Sequence, residues 1–493
     1  MPIHTIAIFG SGFAGSLLAL ITKKIGYAPI IIEKGRHPRF AIGESSTPLA
    51  NLLLDQLCTR YGLDAIRPLC KHGTWREHYP NIPHGLKRGF SFFHHPHPQG
   101  FRCSPRHSNE LLVAASRDDA SGDTHWFREA FDAFLAGQVA EAGIPLHDRT
   151  AVQDIEAHSG GWHIHCESEG KALTLRADFL IDATGEGSLL TRQFGLAPHP
   201  DGLLTRSWSV FSHFRAVKPW QEILNQLGCS TASHPFACDD SALHQIFPHG
   251  WMWQLRFDNG ICSAGFALSG ELQKNTAPAD QLWHAQVQAF PLLMEQFSQA
   301  QRVQPFFLAR RLQRRVAQFA GDRWALMPFS GCFIDPLFSS GNAFTLLAIR
   351  RLARLLETRP PADVLHRGLQ HYAENLQHEI SFLDRLIHGC YQAFPHFELF
   401  TAFSMYYFAG AIISEHRMCT GEARENDGFL YSHDRNFSSA VQAAWQALCR
   451  LCEEGGGSRQ ERRAFQERVA RDIEPINIAG LCDAEKQNMY PYI

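Results

Sequence analysis

The chain has 493 residues, 45% of them hydrophobic and 19% charged, with 46 basic against 49 acidic side chains and a formal net charge of −3. That length exceeds one ordinary core, so two or three structural regions are expected, and the near-neutral balance excludes an electrostatic case for nucleic acid or an anionic membrane surface. Thirteen cysteines at irregular spacing argue against a disulfide framework and for a reducing, cytoplasmic setting.

The first elements read as a βαβ unit: an apolar strand over Ile3–Phe9, a glycine turn, a helix over Ala14–Ile25 and a second strand over Pro29–Glu33. Glycines interrupt the first apolar stretch, so no signal peptide is expected there. Residues Pro68–Arg106, rich in His, Pro, Gly and aromatics, read as irregular excursions of the kind that carry sites. THWFREAFDAFLAGQVAEAG then has helical spacing. Strand patterns follow at Gly161–Cys166, Leu173–Leu175, Phe179–Asp182, Trp208–Phe214 and Trp251–Ala267. A long helix is expected over about Gly341–Leu356, and mainly helix beyond it. The apolar stretch Phe400–Ile413 falls short of the roughly 20 residues of a membrane span, which makes it a buried or cleft-lining helix.

These patterns predict an α/β protein in three parts. Residues 1–195 and 305–356 form a Rossmann-like nucleotide domain, 196–304 a β-rich substrate-side insertion, and 357–493 a helical region. Phe394, Phe397, Phe400, Phe403, Tyr406 and Tyr407 of the helical region are expected to roof a substrate cleft or pack in the core.

Three motifs carry nucleotide chemistry. In Gly10-Ser11-Gly12-Phe13-Ala14-Gly15, Gly10 permits the turn, Gly12 lets amides approach a pyrophosphate at the helix N-terminus, and Gly15 allows close helix–strand packing. Glu33, ending the second strand, suits a ribose. The strand ending in Asp182-Ala183-Thr184-Gly185 brings small residues beside that turn, and Gly321-Asp322 offers a carboxylate for a ribityl-like hydroxyl chain. Taken together in this order, the three motifs select FAD over NAD.

Other features are weighed for chemistry. Ser340-Gly341 opens a helix whose amides can cradle an anion, although Ser339-Ser340 also suits an ordinary helix cap. Trp251 and Trp253 stand two apart, on one face of a strand. No metal is expected: the prolines break the His94, His95 and His97 cluster, and Cys449 and Cys452 lie in an amphipathic stretch with no second pair. His94 and His95 keep a weak interest as a base for a phenol proton.

The set GSGFAG, GESSTP (43–48), Arg128 ahead of Phe131-Asp132, DATG, GD and FIDPLFSSG resembles a flavin-dependent halogenase along nearly the whole chain. The phenolic, phloroglucinol-type branch is the nearest in look, on GLKRGFSFFHH (85–95), GWMW (250–253) and GDRWALMPFSGCFIDPLFSSG (321–341). The resemblance implies the FAD-binding fold of aromatic hydroxylases and halogenases. It also implies reduced FAD from a separate NAD(P)H-dependent flavin reductase, dioxygen, and chloride or bromide oxidised to a hypohalous acid. That acid would be guided by Lys87 to an electron-rich aromatic substrate, free or carrier-tethered.

By the same resemblance Gly10, Gly12, Phe13, Ala14, Gly15, Glu33, Glu44, Ser45, Arg128, Asp182, Gly185, Asp322 and Gly341 contact FAD, and Ser340 and Gly341 hold halide. Phe90, Trp251, Trp253 and Phe338 face the substrate. Phe338 stands where tryptophan halogenases carry a catalytic glutamate, which favours a phenol over an indole. Leu255-Arg256 depart from the family's Ile-Pro after the second tryptophan. The rival readings are an FAD-dependent aromatic monooxygenase and a flavin-binding scaffold without catalysis.

Overall fold

A computed structural model describes residues 3–96, 100–270, 272, 276–424 and 427–492; His97 of the histidine cluster lies outside them. The first unit forms as its pattern dictates: strand β1 (Thr5–Phe9), helix α1 (Phe13–Lys24) and strand β2 (Ala28–Ile32). β1 is the centre of a six-stranded sheet, parallel to β2 on one side and to the strand Phe179–Asp182 on the other. Trp324–Leu326 continues the sheet in parallel beyond Phe179–Asp182. Phe9, Asp182 and Leu326 are register partners, so the carboxyl ends of the three strands lie side by side, where a nucleotide binds in an open α/β sheet.

The second sheet has nine strands and reaches well beyond the expected 196–304 insertion. Strands Ser207–Arg215, Cys262–Ser269, Gly250–Arg256 and Ala242–Phe247 lie in that order, and the sheet then takes in β4 (Gly89–His94) and β5 (Glu110–Ala114). Met489–Tyr490, near the end of the helical region, adds an edge strand to β5. The stretch read as irregular therefore holds regular structure: β3 (His84–Lys87), then β4, whose GFSFFH alternates Phe90, Phe92 and His94 on one face with Gly89, Ser91 and Phe93 on the other.

Two further expectations need correction. Thr124–Trp126, read as the start of a helix, belongs to a strand, β6 (Asp123–Trp126), paired antiparallel with β3; the helix begins only at Arg128. Thr, His and Trp favour a pleated surface, and a partner strand outweighs three residues of helical spacing. Cys103 and Cys229, 126 residues apart, form a disulfide with Cα atoms 5.4 Å apart. Folding alone brings them together, and with a disulfide present the cysteine pattern no longer argues for a reducing compartment. Cys449 and Cys452 lie on the helix Arg435–Glu453, where burial pushes their thiols up to about 11 and about 12, as for inert core cysteines.

The helices Ser340–Glu357, Ala362–Ala393 and Phe397–Thr420 follow. The last is long and apolar enough to cross a membrane by length and composition, but 72% of its most apolar window is buried inside the chain. Its buried surface is explained by packing: Phe400 and Phe408 meet Phe92, and Tyr407 meets Phe338.

Candidate active site

At the carboxyl end of the parallel sheet the glycine turn has the form its residues suggested. Gly10 adopts φ +92°, and a β-carbon there would lie 2.8 Å from the Ala183 carbonyl oxygen. A β-carbon on Gly15 would lie 1.9 Å from the Gly10 carbonyl oxygen, so helix α1 touches the turn through bare backbone. No side chain caps the helix at Gly12, which leaves first-turn amides free for a phosphate. Phe13 and Ala14 begin the helix buried, with Phe13 packed edge-on to Trp126.

Glu33 is buried beside the turn. Burial alone would raise its carboxyl; hydrogen bonds from the Ser11 amide, the Ser11 hydroxyl and the Gly35 amide, with the Arg39 charge, hold it below the usual range. An ionised acceptor next to an uncapped helix and a glycine turn with no room for β-carbons at Gly10 and Gly15 fits the adenosine diphosphate half of FAD.

The other motifs fall into place less evenly. Asp182 spends its carboxylate locally, on the Thr184 amide and hydroxyl and on the Leu190 amide, so it shapes the turn that carries Gly185. Gly185 sits at φ +62°, its amide donating to Ser330 Oγ. Asp322 does not reach the site. It lies exposed in the turn before Trp324–Leu326, and a residue preceding a parallel strand sits at the sheet's amino edge, opposite Gly10. The carboxyl end of that strand leads instead into Met327–Gly331.

The segment Gly43–Ser46 is held from several directions at once. Arg128, bidentate to Asp132 at 2.9 and 2.8 Å, also donates to the carbonyls of Ile42 and Gly43. Glu44 Oε1 lies 2.9 Å from His213 Nε2 on Ser207–Arg215, and the Glu44 carbonyl accepts from the Trp126 amide. Asn342, in the first turn of Ser340–Glu357, donates to the carbonyls of Gly43 and Ser45. Lys87 completes the grip, donating to Ser45 Oγ at 2.9 Å and to the Ser46 carbonyl at 2.6 Å. The strap thus touches the nucleotide side through Arg128 and the lysine side through Ser45 and Ser46.

Lys87 is fully buried. Burial pushes its amine down to about 7, against the opposing pull of the Asp123 charge, and its Nζ lies 4.0 Å from the centre of the Phe90 ring. Asp123 is its register partner across β3 and β6; burial raises the Asp123 carboxyl, while Lys71, Lys87 and Asn51 draw it back down. His125 and His244 are pushed down to about 3, first by burial and in part by the Lys87 charge, so both are neutral imidazoles. Asp123 Oδ2, His125 Nδ1 and Glu44 Oε2 are buried with no protein partner, and such orphaned atoms gather where a ligand or water completes the bonding.

Beyond Lys87 the wall is aromatic. Phe90 and Phe92 face Phe408, and Phe338 stacks on Tyr407 at 4.1 Å while its carbonyl accepts from the Tyr407 hydroxyl. Phe338 is fully buried, an apolar ring in place of a carboxylate. Trp251 and Trp253 share a face with rings 5.8 Å apart. Trp251 Nε1 donates to Asp335 Oδ1 and to the Tyr391 hydroxyl. Burial pushes Asp335 up to about 6, with the Tyr391, Ser207, Leu337 and Trp251 hydrogen bonds holding it down.

His94 stacks on Phe397 at the far end of this face. His95 points the other way, among Phe101, Trp220 and Phe247, which removes it as a base for substrate. Leu255 and Arg256 continue the strand Gly250–Arg256 in register with Ser263 and Cys262, and Arg256 fastens to Asp239 and to the carbonyls of Val217 and Lys218. A proline here would remove a strand donor and that clasp.

Ser340 and Gly341 open their helix after Ser339, which takes a left-handed conformation and makes no side-chain cap bond. The ordinary serine cap is absent, so the first-turn amides are available to an anion. Gly341 packs under the Phe329 ring, which a β-carbon would meet at 2.3 Å. Sequence reasoning missed Asp123, His125 and His244. Only the pairing of β3 with β6, and of β4 with Ala242–Phe247, brings them to Lys87.

A nucleotide-type glycine turn linked by one strap to a buried lysine among aromatic rings is the layout of a flavoenzyme. Residues 124–396, more than half of the chain, match the tryptophan halogenase family. The chain is 30% identical over 440 residues to the monodechloroaminopyrrolnitrin halogenase PrnC of Pseudomonas fluorescens, covering 86% of this chain and 75% of that one. It is 26% identical over 515 residues to the tetracycline 7-halogenase of Kitasatospora aureofaciens, covering 99% and 90%. In fold it is similar to the halogenase PltM, solved with phloroglucinol and FAD, at a TM-score of 0.88, 24% identity and 99% coverage of both chains. The chain belongs to the flavin-dependent halogenase family, and it is an enzyme of that family, which works with FAD, a halide and dioxygen.

Proposed function

We propose that this halogenase modifies an electron-rich phenolic ring and that Lys87 delivers the halogen. The observation that carries the reading is the environment of Lys87: fully buried, held near neutral pKa, hydrogen-bonded to the strap on one side and set against Phe90 on the other. Bound FAD, reduced by a separate NAD(P)H-dependent reductase, supplies the oxidation of chloride or bromide by dioxygen.

The residues of the chain do the rest. Gly10, Gly12, Gly15 and Glu33 seat the nucleotide, and the amides at Ser340 and Gly341 suit the halide. Trp251 and Trp253 bar the substrate from the flavin side. An unprotonated Lys87 amine takes the halogen of a hypohalous acid as a haloamine with loss of water; the ammonium form instead holds the acid by a hydrogen bond. Either way the oxidant stays beside one position of the ring. With Phe338 and Tyr407 in place of an acid, the substrate's own hydroxyl activates its ring, which favours a phenol.

The test combines purified enzyme with FAD, a generic flavin reductase, NADH, and chloride or bromide, and offers a panel of phenols both free and carrier-tethered. Mass spectrometry should find halogen isotope patterns that vanish in Lys87→Ala. Hydroxylated products formed without halide would overturn the reading in favour of a monooxygenase.

A further inference from the structure

At the edge of the nine-stranded sheet, on the loop that leads into β5, two histidines converge on one carboxylate. Glu110 Oε2 lies 3.0 Å from His107 Nδ1 and 2.9 Å from His234 Nε2, and the three ligand-type atoms lie within 4.8 Å of one another. The side chains of all three are almost wholly buried. This is the one such convergence of His, Cys, Asp and Glu among the described residues, and the halogenation site does not use it.

We propose that His107, Glu110 and His234 bind a divalent transition-metal ion of the zinc type, which ties the 103–110 loop to the 229–236 loop. The donor set is a common one for zinc, two imidazole nitrogens and a carboxylate oxygen, with a fourth position for water. A tetrahedral ion with bonds of about 2.0–2.1 Å separates its ligands by about 3.3 Å, so the two spacings to Glu110 need widen by only a few tenths of an ångström, and all three atoms already lie within 4.8 Å of one another.

The surroundings supply the groups a metal-bound histidine needs. A histidine that coordinates through one nitrogen donates its other N–H to a neighbour. His107 Nε2 lies 2.6 Å from Ser233 Oγ, which leaves Nδ1 to face Glu110 and His234. His234 Nδ1 is buried without a protein partner, as expected if an ordered water completes it. His107 is held in place by backbone: it sits at φ +51°, its amide donates to the Ser104 carbonyl, and its own carbonyl accepts from Asn488 Nδ2.

The two loops are already joined once, by Cys103–Cys229. An ion would be a second cross-link on the same pair of segments, next to the edge strand Met489–Tyr490. The role this placement supports is that of a cross-link between the two loops, and none of the three residues is among the contacts of Lys87. The motif escapes a sequence search because only His107 and Glu110 are close in the chain, while His234 arrives through the insertion.

The experiment uses the full enzyme, dialysed against chelator and then titrated with Zn2+, with elemental analysis, a thermal melt and, for Co2+, visible absorption. The expected result is one tightly held zinc per chain, a melting temperature that rises with zinc, and tetrahedral Co2+ bands. His234→Ala and the isosteric Glu110→Gln should lose that zinc, with affinity weakened on the order of 100-fold or more, and Ser233→Ala by about 10-fold. Because Glu110→Gln keeps shape and volume, its circular dichroism reports whether it still folds. Failure of the wild type to take up zinc, or equal uptake by wild type and both ligand variants, would overturn the proposal.

Discussion

Replacing Lys87 by Met should make the enzyme inactive and more stable. The amine is pushed down from 10.5 to about 7, chiefly by burial. A shift of that size corresponds to roughly 5 kcal/mol of unfavourable burial of the ammonium. Hydrogen bonds to Ser45 and Ser46 offset about 1 kcal/mol each, and Asp123 loses a neighbouring cation. The net gain from Lys87→Met is therefore about 1–3 kcal/mol at neutral pH, in a side chain of similar length.

The sign follows from proton uptake. The folded pKa lies below the unfolded one, so between about 7 and 10.5 the unfolded chain holds a proton that the folded chain does not, and wild-type stability rises with pH across that window. The advantage of the variant is thus largest below pH 7 and fades toward pH 10. Urea unfolding of both proteins at several pH values reads this directly. A variant that is less stable at pH 7, or a difference that does not change with pH, would refute the view of Lys87 as a desolvated amine.

Other outcomes follow from the same geometry. Asp123→Asn keeps the Asn51 contact but removes the charge that raises the Lys87 pKa, so the acidic limb of the pH–rate profile should move to lower pH by about one unit, where an unmoved limb would count against the pairing. Gly15→Ala places a β-carbon against the Gly10 carbonyl and should abolish FAD binding, measured by flavin fluorescence, with a loss of about 1–3 kcal/mol in stability. Asp322→Ala should leave FAD affinity at the wild-type value, since that residue sits at the opposite edge of the sheet. Phe338→Glu should lower activity on phenols, because it puts an unpaired carboxyl under the Tyr407 ring; full activity would show that the apolar wall is dispensable.

How much could be read in advance depended on how local the signal was. The glycine turn, α1 and the Asp182 strand are each set by a few adjacent residues with one steric solution, and they formed within a residue or two of expectation. Gly321-Asp322 misled because a Gly-Asp pair looks the same before a strand as after one, and only strand direction separates the two. The surroundings of Lys87 were hidden for another reason. Asp123 and His125 meet it through a two-stranded pairing, and Thr124–Trp126 also satisfies helical spacing when read with the segment that follows. His244 arrives by a parallel pairing with β4 across some 150 residues, which no local pattern records.

The strap has a consequence for how this enzyme can change. Its successive residues are anchored to different layers, so Lys87 is held through Ser45 and Ser46 and against Phe90, while Phe92, Phe400 and Phe408 form the wall beyond it. Those rings come from β4 and from the helix Phe397–Thr420, which can be remodelled around a new substrate while the lysine stays where it is. On the proposed role of Lys87, substrate range and halogen delivery are separate traits, and a library confined to Phe92, Phe400 and Phe408 should yield altered preferences at little cost to turnover.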